Sequence, residues 1–597
     1  MCGFVSIFPT VPGSFQFEDL SAALSCMVSR GPDGEGLWQE DDALLGHRRL
    51  AILDLDQRSH QPMVSTSGRL TIAFNGEIYN FRELRATLQA RGVSFRTTSD
   101  TEVLLCLFEA HGEAMLPMLR GMFAFVIWDR VAKRGFAARD PYGIKPLYYA
   151  QTAHGLLMAS QVKALLATGR VSRESDARAQ ASFWLLGSVP EPLTWFRDIR
   201  ALQAGHSFWI EGGRAGSPSR WWDISASWRD APSEHLPAAE VRERVSSAVR
   251  RSVAAHLVSD VPVGVFLSGG IDSGTLAGLM VDAGARNLQG VTLAFQEFAG
   301  RPEDEASVAA KIAAHYGIRH HVRVVSRSEF HADLPRILRA MDQPSIDGVN
   351  TWYASKAVAE LGLKVVVSGV GGDELFQGYP SFDELPRLVS TWRKLSRLPG
   401  AMALAGAFAG FQSRRTNNHR WRHVADWSRS IGGAWWLRRG LFSPEDLPAL
   451  MGDDLADEAL RQFDAEAWVG EMSGHLPEDL RLALGQIEST TYLRNQLLRD
   501  SDWASMDHSV ELRTPLVDAW LLRDLEPLLS SLVDFPGKAL LAGSAAKVLP
   551  REVLQRQKTG FGIPMGRWLS DEGTVQSNST SSRDWARQLV SAYASQV

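Results

Sequence analysis

The chain has 597 residues, of which 45% are hydrophobic and 22% are charged, and its 63 Lys and Arg against 68 Asp and Glu give a net charge of −5. These proportions are typical of a soluble globular protein, and the length predicts at least two domains. The mildly negative balance argues against a nucleic-acid-binding surface spread over the whole protein, though not against a local basic patch. We therefore expect no nucleic-acid partner.

Cysteine usage argues against a disulfide-rich or zinc-binding protein, and hydropathy argues against a membrane or secreted protein. Three cysteines, at positions 2, 26 and 106, are too few and too scattered for a disulfide framework, and the sequence has no C-x-x-C pair that indicates zinc. No apolar run reaches the roughly 18 residues of a membrane-spanning helix, and the N-terminus lacks the basic segment of a secretion signal. The pattern predicts a cytoplasmic protein with no membrane partner.

The first part of the chain, residues 2–210, contains short apolar runs separated by glycines, which predict β-strands. Between the strands, residues 81–91 and 101–111 carry apolar side chains at helical spacing. Strands, then helices, then more strands predict a layered α+β domain. The Gly/Ser/Pro-rich residues 211–235 predict a linker.

From residue 236 onward, helical and strand-like segments alternate, which predicts a mostly parallel sheet. Strands are expected at 261–267, 288–295 and 364–368, with helices at 238–259, 275–284, 304–316, 327–341 and 353–361. Residues 384–500 are predicted to be largely helical. The polar string Q-S-N-S-T-S-S-R predicts that residues 571–597, beyond a unit that ends at 570, form a flexible tail.

A cysteine stands at position 2, directly before a glycine. Removal of Met1, which a small second residue favours, leaves Cys2 with a free α-amino group of pKa about 8. That amine can accept the thiol proton, directly or through water, so that nucleophile and base belong to one residue. The simpler interpretation is that Cys2 is a small buried apolar residue that happens to follow the initiator.

Three short segments supply groups that such a nucleophile needs, and each has a simpler interpretation. F-N-G-E-I-Y-N offers Asn75 and the Gly76 N–H as an oxyanion hole and Glu77 for a substrate ammonium, or else a hairpin turn. R-R-L-A-I-L-D offers Arg49 to bind a carboxylate, or else a surface arginine on a strand. S-D-T-E-V offers Asp100 as a ligand, or else a helix N-cap at Asp100.

Together with D-P-Y-G-I-K-P-L-Y-Y at 140–149, these segments resemble the class II glutamine amidotransferases over residues 2–210. The resemblance implies an α+β N-terminal nucleophile hydrolase sandwich with αββα layers. It implies that Cys2 attacks the glutamine amide to form a glutamyl thioester and ammonia, with the oxyanion held by Asn75 and Gly76. It implies glutamine binding by Arg49, Ile52, Asn75, Gly76, Glu77 and Asp100. Gln161 stands where the family has an acidic residue, and we expect a local change in an interdomain contact there.

The string V-F-L-S-G-G-I-D-S-G follows an apolar strand and opens a helix. Its small residues Ser268, Gly269, Gly270 and Ser273 let backbone N–H groups approach an anion at the helix N-terminus. Asp272 is placed to hold Mg²⁺ against pyrophosphate oxygens. Because the string is not G-x-x-x-x-G-K-[ST], Walker-type transfer of a γ-phosphate is disfavoured. The simpler interpretation is a glycine-rich turn.

A second loop and a lysine extend this set. In V-V-V-S-G-V-G-G-D-E, Asp373 and Glu374 beside three glycines suit magnesium and phosphate, or else form a solvated acidic turn. Lys558, in Q-K-T-G-F-G, can neutralise charge that develops on a leaving pyrophosphate, or else is a solvated loop lysine.

The first loop resembles the S-G-G-x-D-S loop of ATP pyrophosphatases, and residues 235–570 resemble the synthetase domain of glutamine-hydrolysing asparagine synthetases. The resemblance implies an α/β parallel-sheet ATP-pyrophosphatase domain with helical additions over 236–570, which uses ATP and Mg²⁺. Aspartate would be activated as aspartyl-adenylate and attacked by ammonia from the first domain. The implied residues are Leu267, Ser268, Gly269, Gly270, Asp272, Ser273, Leu293, Ser368 and Gly369 for ATP, Asp272 and Asp373 for the metal, and Lys558 for catalysis.

Val370 departs from this family pattern, which has glutamate at the position after Ser-Gly. A valine can neither accept a proton nor coordinate charge. Either a neighbouring carboxylate takes over its role, or the acceptor is not aspartate but another small carboxylate, such as a sugar acid or a peptide-like acid. The segment 341–353 supplies Asp342, Asp347 and Asn350 near this position. A homodimer is an open expectation.

Overall fold

A computed structural model of the chain describes residues 2–232, 236–301, 303–416, 418–464, 467–468, 470, 475–535, 537–556, 562–569 and 578–596. Within these ranges the strands form two antiparallel sheets and one parallel sheet. Both antiparallel sheets are built from the N-terminal part of the chain, and the parallel sheet begins at Val263. None of the described helices is both long enough and apolar enough to cross a bilayer.

The N-terminal strands are β1 (Gly3–Pro9), β2 (Gly34–Glu40), β3 (Ala43–Arg49), β4 (Met63–Val64), β5 (Leu70–Ile78), β6 (Gly121–Asp129), β7 (Arg134–Arg139), β8 (Tyr148–Gln151), β9 (Gly155–Ala159), β10 (Ile199–Ala201), β11 (His206–Glu211), β12 (Arg214–Ala215) and β13 (Ser219–Arg220). One sheet has the order β10-β8-β9-β1-β3-β2, and the other has the order β12-β11-β7-β6-β5-β4, with β13 paired to β11. Phe4, Leu45, Ala73 and Val126 belong to the apolar core between them.

Helices cover the outer faces of this sandwich. They are α1 (Phe17–Ser25), α2 (Phe81–Ala90), α3 (Asp100–His111), α4 (Val162–Ala167) and α5 (Ala177–Leu186). Helices α1 and α4 pack on the sheet that contains β1, and α3 packs on β5 of the other sheet. The predicted helices at 81–91 and 101–111 are confirmed as α2 and α3, and the αββα order of layers confirms the α+β sandwich.

The segment predicted as a linker begins as part of the second sheet. Gly212 and Gly213 adopt positive φ angles of 55° and 73°, which lets β12 turn back and pair with β11. β13 then pairs with the start of β11, and helix α6 (Ile224–Arg229) follows. The prediction of a linker from residue 211 is therefore wrong for residues 211–220, because the glycines form a hairpin turn rather than a free connection.

The parallel sheet consists of β14 (Val263–Phe266), β15 (Gln289–Phe295), β16 (Arg319–Val325), β17 (Val365–Val367) and β18 (Glu511–Arg513) in the order β16-β15-β14-β17-β18. Its helices are α7 (Ala238–His256), α8 (Ile271–Asp282), α9 (Ala306–Tyr316), α10 (Arg327–Ala340) and α11 (Val349–Glu360). The predicted parallel sheet is confirmed. The strand order reverses direction between β14 and β17, and ligands of open α/β sheets bind at such a switch point, beyond the carboxyl ends of the strands.

Helical additions surround this sheet. They are α12 (Gly372–Leu375), α13 (Ser381–Leu395), α14 (Ala401–Thr416), α15 (Arg420–Trp427), α16 (Ile431–Arg439), α17 (Leu447–Met451), α18 (Asp453–Gln462), α19 (Leu480–Glu488), a π-helical segment (Ser489–Leu498), α20 (Arg499–Met506), α21 (Ala519–Leu525), α22 (Leu529–Leu532), α23 (Ala539–Ala542), α24 (Arg551–Gln555), α25 (Met565–Leu569) and α26 (Asn578–Gln596). Short 3₁₀ turns lie at Val28–Arg30, Gln57–Ser59, Gly112–Met118, Gln296–Phe298, Pro444–Asp446, Pro515–Val517 and Glu526–Leu528.

The C-terminal segment corrects the prediction of a flexible tail over 571–597. Within its described part, α26 buries Trp585, Leu589 and Tyr593, which are 2%, 0% and 8% exposed. These three residues are four positions apart, so they lie on one face of the helix. The hydroxyl of Tyr593 also donates to the carbonyl of Asp342 at 3.0 Å. The apolar spacing outweighs the polar string that precedes it.

Candidate active sites

Cys2 lies at the edge of the sandwich, immediately before β1. Its main-chain nitrogen donates to Oδ1 of Asn75 at 2.9 Å, and its carbonyl accepts from Nε of Arg30 at 3.0 Å. The side chain is buried, and burial raises the pKa of the Cys2 thiol, against the opposing effects of the Leu50 backbone N–H and of Arg49. A base close to the sulfur is therefore needed to form the thiolate.

Asn75 and Gly76 occupy the middle of β5, beside Cys2. The Nδ2 atom of Asn75 is buried and has no hydrogen-bond partner among the described residues, although its Oδ1 is used by Cys2. A Cβ atom on Gly76 would lie 2.1 Å from the Met122 carbonyl oxygen, so the neighbouring strand admits only glycine there. An unused amide donor next to the cysteine is the arrangement that an oxyanion requires.

Arg49 ends β3 on the same side of the sandwich. Its guanidinium donates to the carbonyls of Asp56 at 3.0 Å and Leu53 at 3.3 Å, and also to that of Asp54. No carboxylate pairs with Arg49 among the salt bridges of the described residues. A buried cation held only by carbonyl oxygens suits an anionic ligand. The backbone carbonyl of Ile52, in the loop after β3, instead accepts from Asp260 at 3.1 Å, outside the sandwich.

Two buried carboxylates face this region. Glu77, on β5, lies with Oε2 at 3.7 Å from Nη2 of Arg513, and burial together with the charge of Glu511 raises its pKa well above the usual value. Asp100 accepts from the Ile78 N–H at 3.0 Å, and burial raises its pKa to about 6. The interpretation of Asp100 as an N-cap is wrong. Ser99 caps α3 by accepting from the Thr101 N–H, because its hydroxyl reaches the first turn.

Buried charges join the two halves of the chain. Arg30 donates from Nη1 and Nη2 to the Asp502 carboxylate at 2.7 and 3.2 Å, and Nζ of Lys145 lies 3.7 Å from the same group. Arg513 donates to Glu511 at 2.6 Å while approaching Glu77 from β18. The residues around Cys2 are thus tied directly to elements of the parallel-sheet region.

Gln161 lies at this interface, as the N-cap residue of α4, but its side chain makes no capping hydrogen bond. The carboxylate of Asp342 accepts instead from the N–H groups of Val162 at 2.7 Å and Lys163 at 3.1 Å. The acidic cap of this helix is therefore supplied by a residue far along the chain. The predicted change in an interdomain contact at Gln161 stays a prediction.

A cavity of about 320 Å³ lies at the switch point between β14 and β17, and we call it the inner cavity. The Ser268 hydroxyl accepts from the Gly270 N–H at 3.1 Å and lies 2.8 Å from Oγ of Ser273, which fixes the turn that begins α8. Of the residues predicted to bind ATP, the cavity is lined by Leu267, Ser268, Asp272, Ser273, Leu293, Ser368 and Gly369. Gly269 and Gly270 belong to the turn itself, behind the lining.

Close packing explains the glycines of the two loops. A Cβ atom on Gly369 would lie 2.8 Å from Cβ of Asp272, and one on Gly372 would lie 2.6 Å from Oδ1 of Asp272. The loop after β17 therefore presses directly against the start of α8, which brings Asp373 to the same cavity. At Gly369 and Gly372, glycine is required by this close approach, whereas Gly371 between them has a positive φ of 90°.

Lys538 is a residue that the sequence analysis missed. Its Nζ atom forms ion pairs with Asp272 and, at 2.6 Å, with Asp373, and these charges raise its pKa although burial opposes them. Lys558, the lysine chosen from the sequence, lies outside the described residues. No spacing signal connects position 538 with the two loops, so only the fold reveals this lysine.

Asp272 and Asp373 have the ligand chemistry that magnesium prefers. Mg²⁺ in nucleotide sites commonly uses one or two carboxylates together with substrate phosphates, and Asp272 and Asp373 provide such a pair. Among the described residues there is no cluster of three or more His, Cys, Asp or Glu that would form a complete protein cage. The donor set fits a cation that arrives with phosphate.

Val370 lines the inner cavity together with the carboxyl groups of Glu374 and Asp500. Glu374 accepts from the Tyr379 hydroxyl at 2.7 Å, and burial next to Asp373 raises its pKa to about 7. Asp500 accepts from the Ser345 hydroxyl at 2.6 Å, and burial raises its pKa to about 7 as well. The cavity therefore contains carboxyl groups that can exchange protons near neutral pH.

A larger cavity of about 580 Å³, the outer cavity, lies next to the inner one. Asp347, Asn350 and Tyr492 line both cavities. Asp342, from the same segment, lies instead at the α4 interface. The arrangement provides a nucleotide-sized chamber beside a second, wider space.

Comparison with known proteins assigns the chain to a family. Residues 1–222 match the model of the glutamine amidotransferase domain, and residues 244–594 match that of asparagine synthase. Asparagine synthetase [glutamine-hydrolyzing] 1 of Bacillus subtilis is 30% identical over 99% of this chain and 90% of its own length. The chain belongs to the glutamine-hydrolysing asparagine synthetase family. Like the other members of the family, the chain is a glutamine-dependent carbon–nitrogen ligase.

Two further proteins are similar to this chain over a smaller share of its length. Amidase chry2 of Gibberella zeae is 32% identical to this chain over 66% of the chain and 62% of its own length. A solved structure, glutamine phosphoribosylpyrophosphate amidotransferase from B. subtilis with ADP and GMP, covers 63% of this chain and 77% of its own with 18% identity and a TM-score of 0.29. One of the proteins similar to this chain therefore has a name that does not refer to asparagine.

Proposed function

We propose that the chain releases ammonia from glutamine at Cys2 and passes it to a carboxylate that ATP has activated as an acyl-adenylate. The observation that carries the proposal is that one chain contains both a buried N-terminal cysteine facing an unused amide donor and a nucleotide-sized chamber at a sheet switch point. Aspartate, giving asparagine, glutamate, AMP and pyrophosphate, is the acceptor that the family suggests. A cytoplasmic location and a homodimer are part of the same proposal.

At the first site, the Cys2 sulfur attacks the side-chain carbonyl of glutamine. The carbonyl oxygen becomes an oxyanion that receives hydrogen bonds from Nδ2 of Asn75 and the Gly76 N–H. The α-amino group of Cys2 takes the thiol proton and passes it to the leaving nitrogen, so collapse of the intermediate expels ammonia and leaves a glutamyl thioester. Water hydrolyses the thioester to glutamate and the free thiol. Arg49 holds the α-carboxylate, and Glu77 and Asp100 hold the α-ammonium, with Ile52 at the edge of the pocket.

At the second site, an acceptor carboxylate oxygen attacks the α-phosphorus of ATP and breaks its bond to the bridging oxygen, which releases pyrophosphate. The turn of Ser268, Gly269, Gly270 and Ser273 directs N–H groups at the phosphates, with Leu267, Leu293, Ser368 and Gly369 around the nucleotide. Asp272 and Asp373 would hold Mg²⁺, which neutralises charge on the phosphates. Lys538 stabilises the leaving pyrophosphate, and the same role is proposed for Lys558.

Ammonia then attacks the acyl carbon, AMP leaves, and a proton is lost to give the amide. Between the two sites, a small internal cavity is lined by Ile144, Lys145, Leu498, Ser501 and Asp502, and Ser501 also lines the inner cavity. The small cavity and the inner cavity, which share Ser501, support a route for ammonia that avoids bulk water.

A second acceptor class is favoured by Val370, which places an apolar side chain where the family has glutamate. Either Glu374 or Asp500 supplies the missing carboxylate for aspartate, or the acceptor is a different carboxylate, a sugar acid or a peptide-like acid. The likeness to a protein named as an amidase supports the second choice.

The test separates the two sites. We expect Cys2→Ala to abolish glutamine-supported amide synthesis while synthesis supported by ammonium chloride continues, with AMP and pyrophosphate as the nucleotide products. Cys26→Ala is the matched control, because that thiol is also free but lies away from Asn75. Loss of both activities in folded Cys2→Ala protein, or formation of ADP and phosphate, would contradict the proposal.

A further inference from the structure

We infer that the acceptor is a peptide-like carboxylate with an aromatic or apolar group, whose body lies in the outer cavity while its carboxylate reaches the inner one. This inference rests on the proposed function, because it places the acceptor relative to the nucleotide. It commits to one of the two acceptor classes that Val370 leaves open.

The two cavities are neighbours. Asp347, Asn350 and Tyr492 line both of them, so a molecule bound at the Ser268 turn lies beside the outer cavity. An acceptor activated by ATP must bring its carboxylate to the inner cavity. The rest of that acceptor therefore points outward past Tyr492.

The volume of the outer cavity sets the size of the acceptor. It measures about 580 Å³, against about 320 Å³ for the inner cavity. Pockets of roughly 300–1,000 Å³ bind drug-sized molecules and bury most of their surface. Free aspartate would leave much of this space to water, so the binding energy that the walls can supply would remain unused.

The walls suit an aromatic or apolar group. Trp435 of α16, Trp468 and Trp585 of α26 line the cavity, and Trp435 and Trp585 are otherwise buried at 2% exposure each. Indole rings bind apolar and aromatic groups with large contact area. Arg439, the buried cation at this wall, is engaged by Glu488 at 3.1 Å and lies 3.8 Å over the Tyr492 ring, so its charge is already compensated.

The unused polar atoms of the walls are donors. Nδ2 of Asn495 and Nε1 of Trp585 are buried and have no hydrogen-bond partner among the described residues. Asn495 is 4% exposed, and its Oδ1 is fixed by the Glu191 N–H at 3.1 Å, so its amide group faces the cavity with its donors available. Buried donors without partners call for a ligand with acceptor atoms, and amide carbonyls supply them.

The experiment measures pyrophosphate release by the full-length enzyme with ATP and ammonium chloride, for L-aspartate and for N-acetylated dipeptides that contain phenylalanine and one free carboxylate. Asn495→Asp keeps the oxygen that accepts from Glu191 but removes the two donors. Asn287→Asp makes the same change at an exposed position and is the control. Circular dichroism and glutaminase activity report whether each variant is folded.

We expect at least one blocked dipeptide to exceed aspartate by tenfold or more in kcat/KM. We expect Asn495→Asp to lower that value by roughly tenfold or more, since it leaves a carbonyl of the acceptor unpaired, and Asn287→Asp to leave it unchanged. A preference for aspartate, or no dipeptide better than aspartate, overturns the inference but leaves the proposed function intact. Failure of the proposed function has a different signature: ADP instead of AMP, or no separation of the two activities in Cys2→Ala.

Discussion

Replacement of Asp502 by asparagine tests the buried charges that join the two halves of the chain. In the wild type the Asp502 carboxylate compensates Arg30, at 2.7 Å, and Lys145, at 3.7 Å, and the three side chains are 5%, 1% and 1% exposed. Asparagine keeps the shape but removes the carboxylate that pairs with Arg30 and lies close to Lys145. Removal of one partner from a buried pair costs about 3–5 kcal/mol. Because the Arg30 guanidinium cannot lose its proton, deprotonation of Arg30 cannot relieve this cost.

The dependence on pH gives the prediction a second part. Although burial acts to raise it, Arg30 and Lys145 hold the pKa of Asp502 below its usual value. A carboxylate whose pKa is lower in the folded state stabilises the protein above its unfolded pKa, about 3.9, and this contribution is lost as the pH falls through the folded pKa. The difference in stability between wild type and Asp502→Asn should therefore be full at pH 7 and shrink in acid.

The assay is urea unfolding followed by tryptophan fluorescence and circular dichroism, with each transition fitted separately because a chain of two domains need not unfold in one step. Glu240→Gln is the control: its ion pair with Arg244 is 47% and 42% exposed, and we expect a change below about 1 kcal/mol. Glutaminase activity should also fall in Asp502→Asn, since Arg30 holds the Cys2 carbonyl.

A loss of stability below about 1 kcal/mol at pH 7, or one that does not shrink in acid, would refute this reasoning. The first result would mean that water reaches the pair and screens it. The second would mean that Asp502 acts through its shape rather than its charge.

Two further substitutions test the separate sites. Asn75→Asp keeps the oxygen that accepts from Cys2 but removes the donors, so the kcat of glutamate release should fall by at least about 10²-fold, while ammonia-supported synthesis is retained; a smaller loss would remove Asn75 from the oxyanion hole. Lys538→Met removes the cation between Asp272 and Asp373, so pyrophosphate release should fall by about 10²-fold or more with glutaminase unchanged; Lys311→Met, at a 56% exposed ion pair, is the control, and equal effects of the two would exclude a role for Lys538.

Local patterns in the sequence predict the loops that surround each site. The Ser268–Ser273 turn is encoded within a few residues, because small side chains, a preceding apolar strand and a following helix are all neighbours in the chain. The same is true of Asn75 and Gly76 on β5. What these patterns predict is the type of group and the element that carries it.

Contacts between distant residues could not be predicted in this way. Asp502 and Arg30 are 472 positions apart, and Lys538 lies 266 positions from Asp272. Periodicity and spacing describe neighbours only, so a pair of this kind appears after the sheets have packed. The helix α26 is different. The spacing of Trp585, Leu589 and Tyr593 is visible in the sequence and indicates a helix, but the prediction of a tail follows the polar residues before it.

The cap that Asp342 provides to α4 has a consequence for the order in which the enzyme is completed. Asp342 is 180 residues beyond Val162, so it leaves the ribosome long after the sandwich has been made. Until then, two N–H groups at a buried helix end lack their acceptor, a deficit worth about 1 kcal/mol. Domains generally fold in order of synthesis, and here the first one is finished by the second.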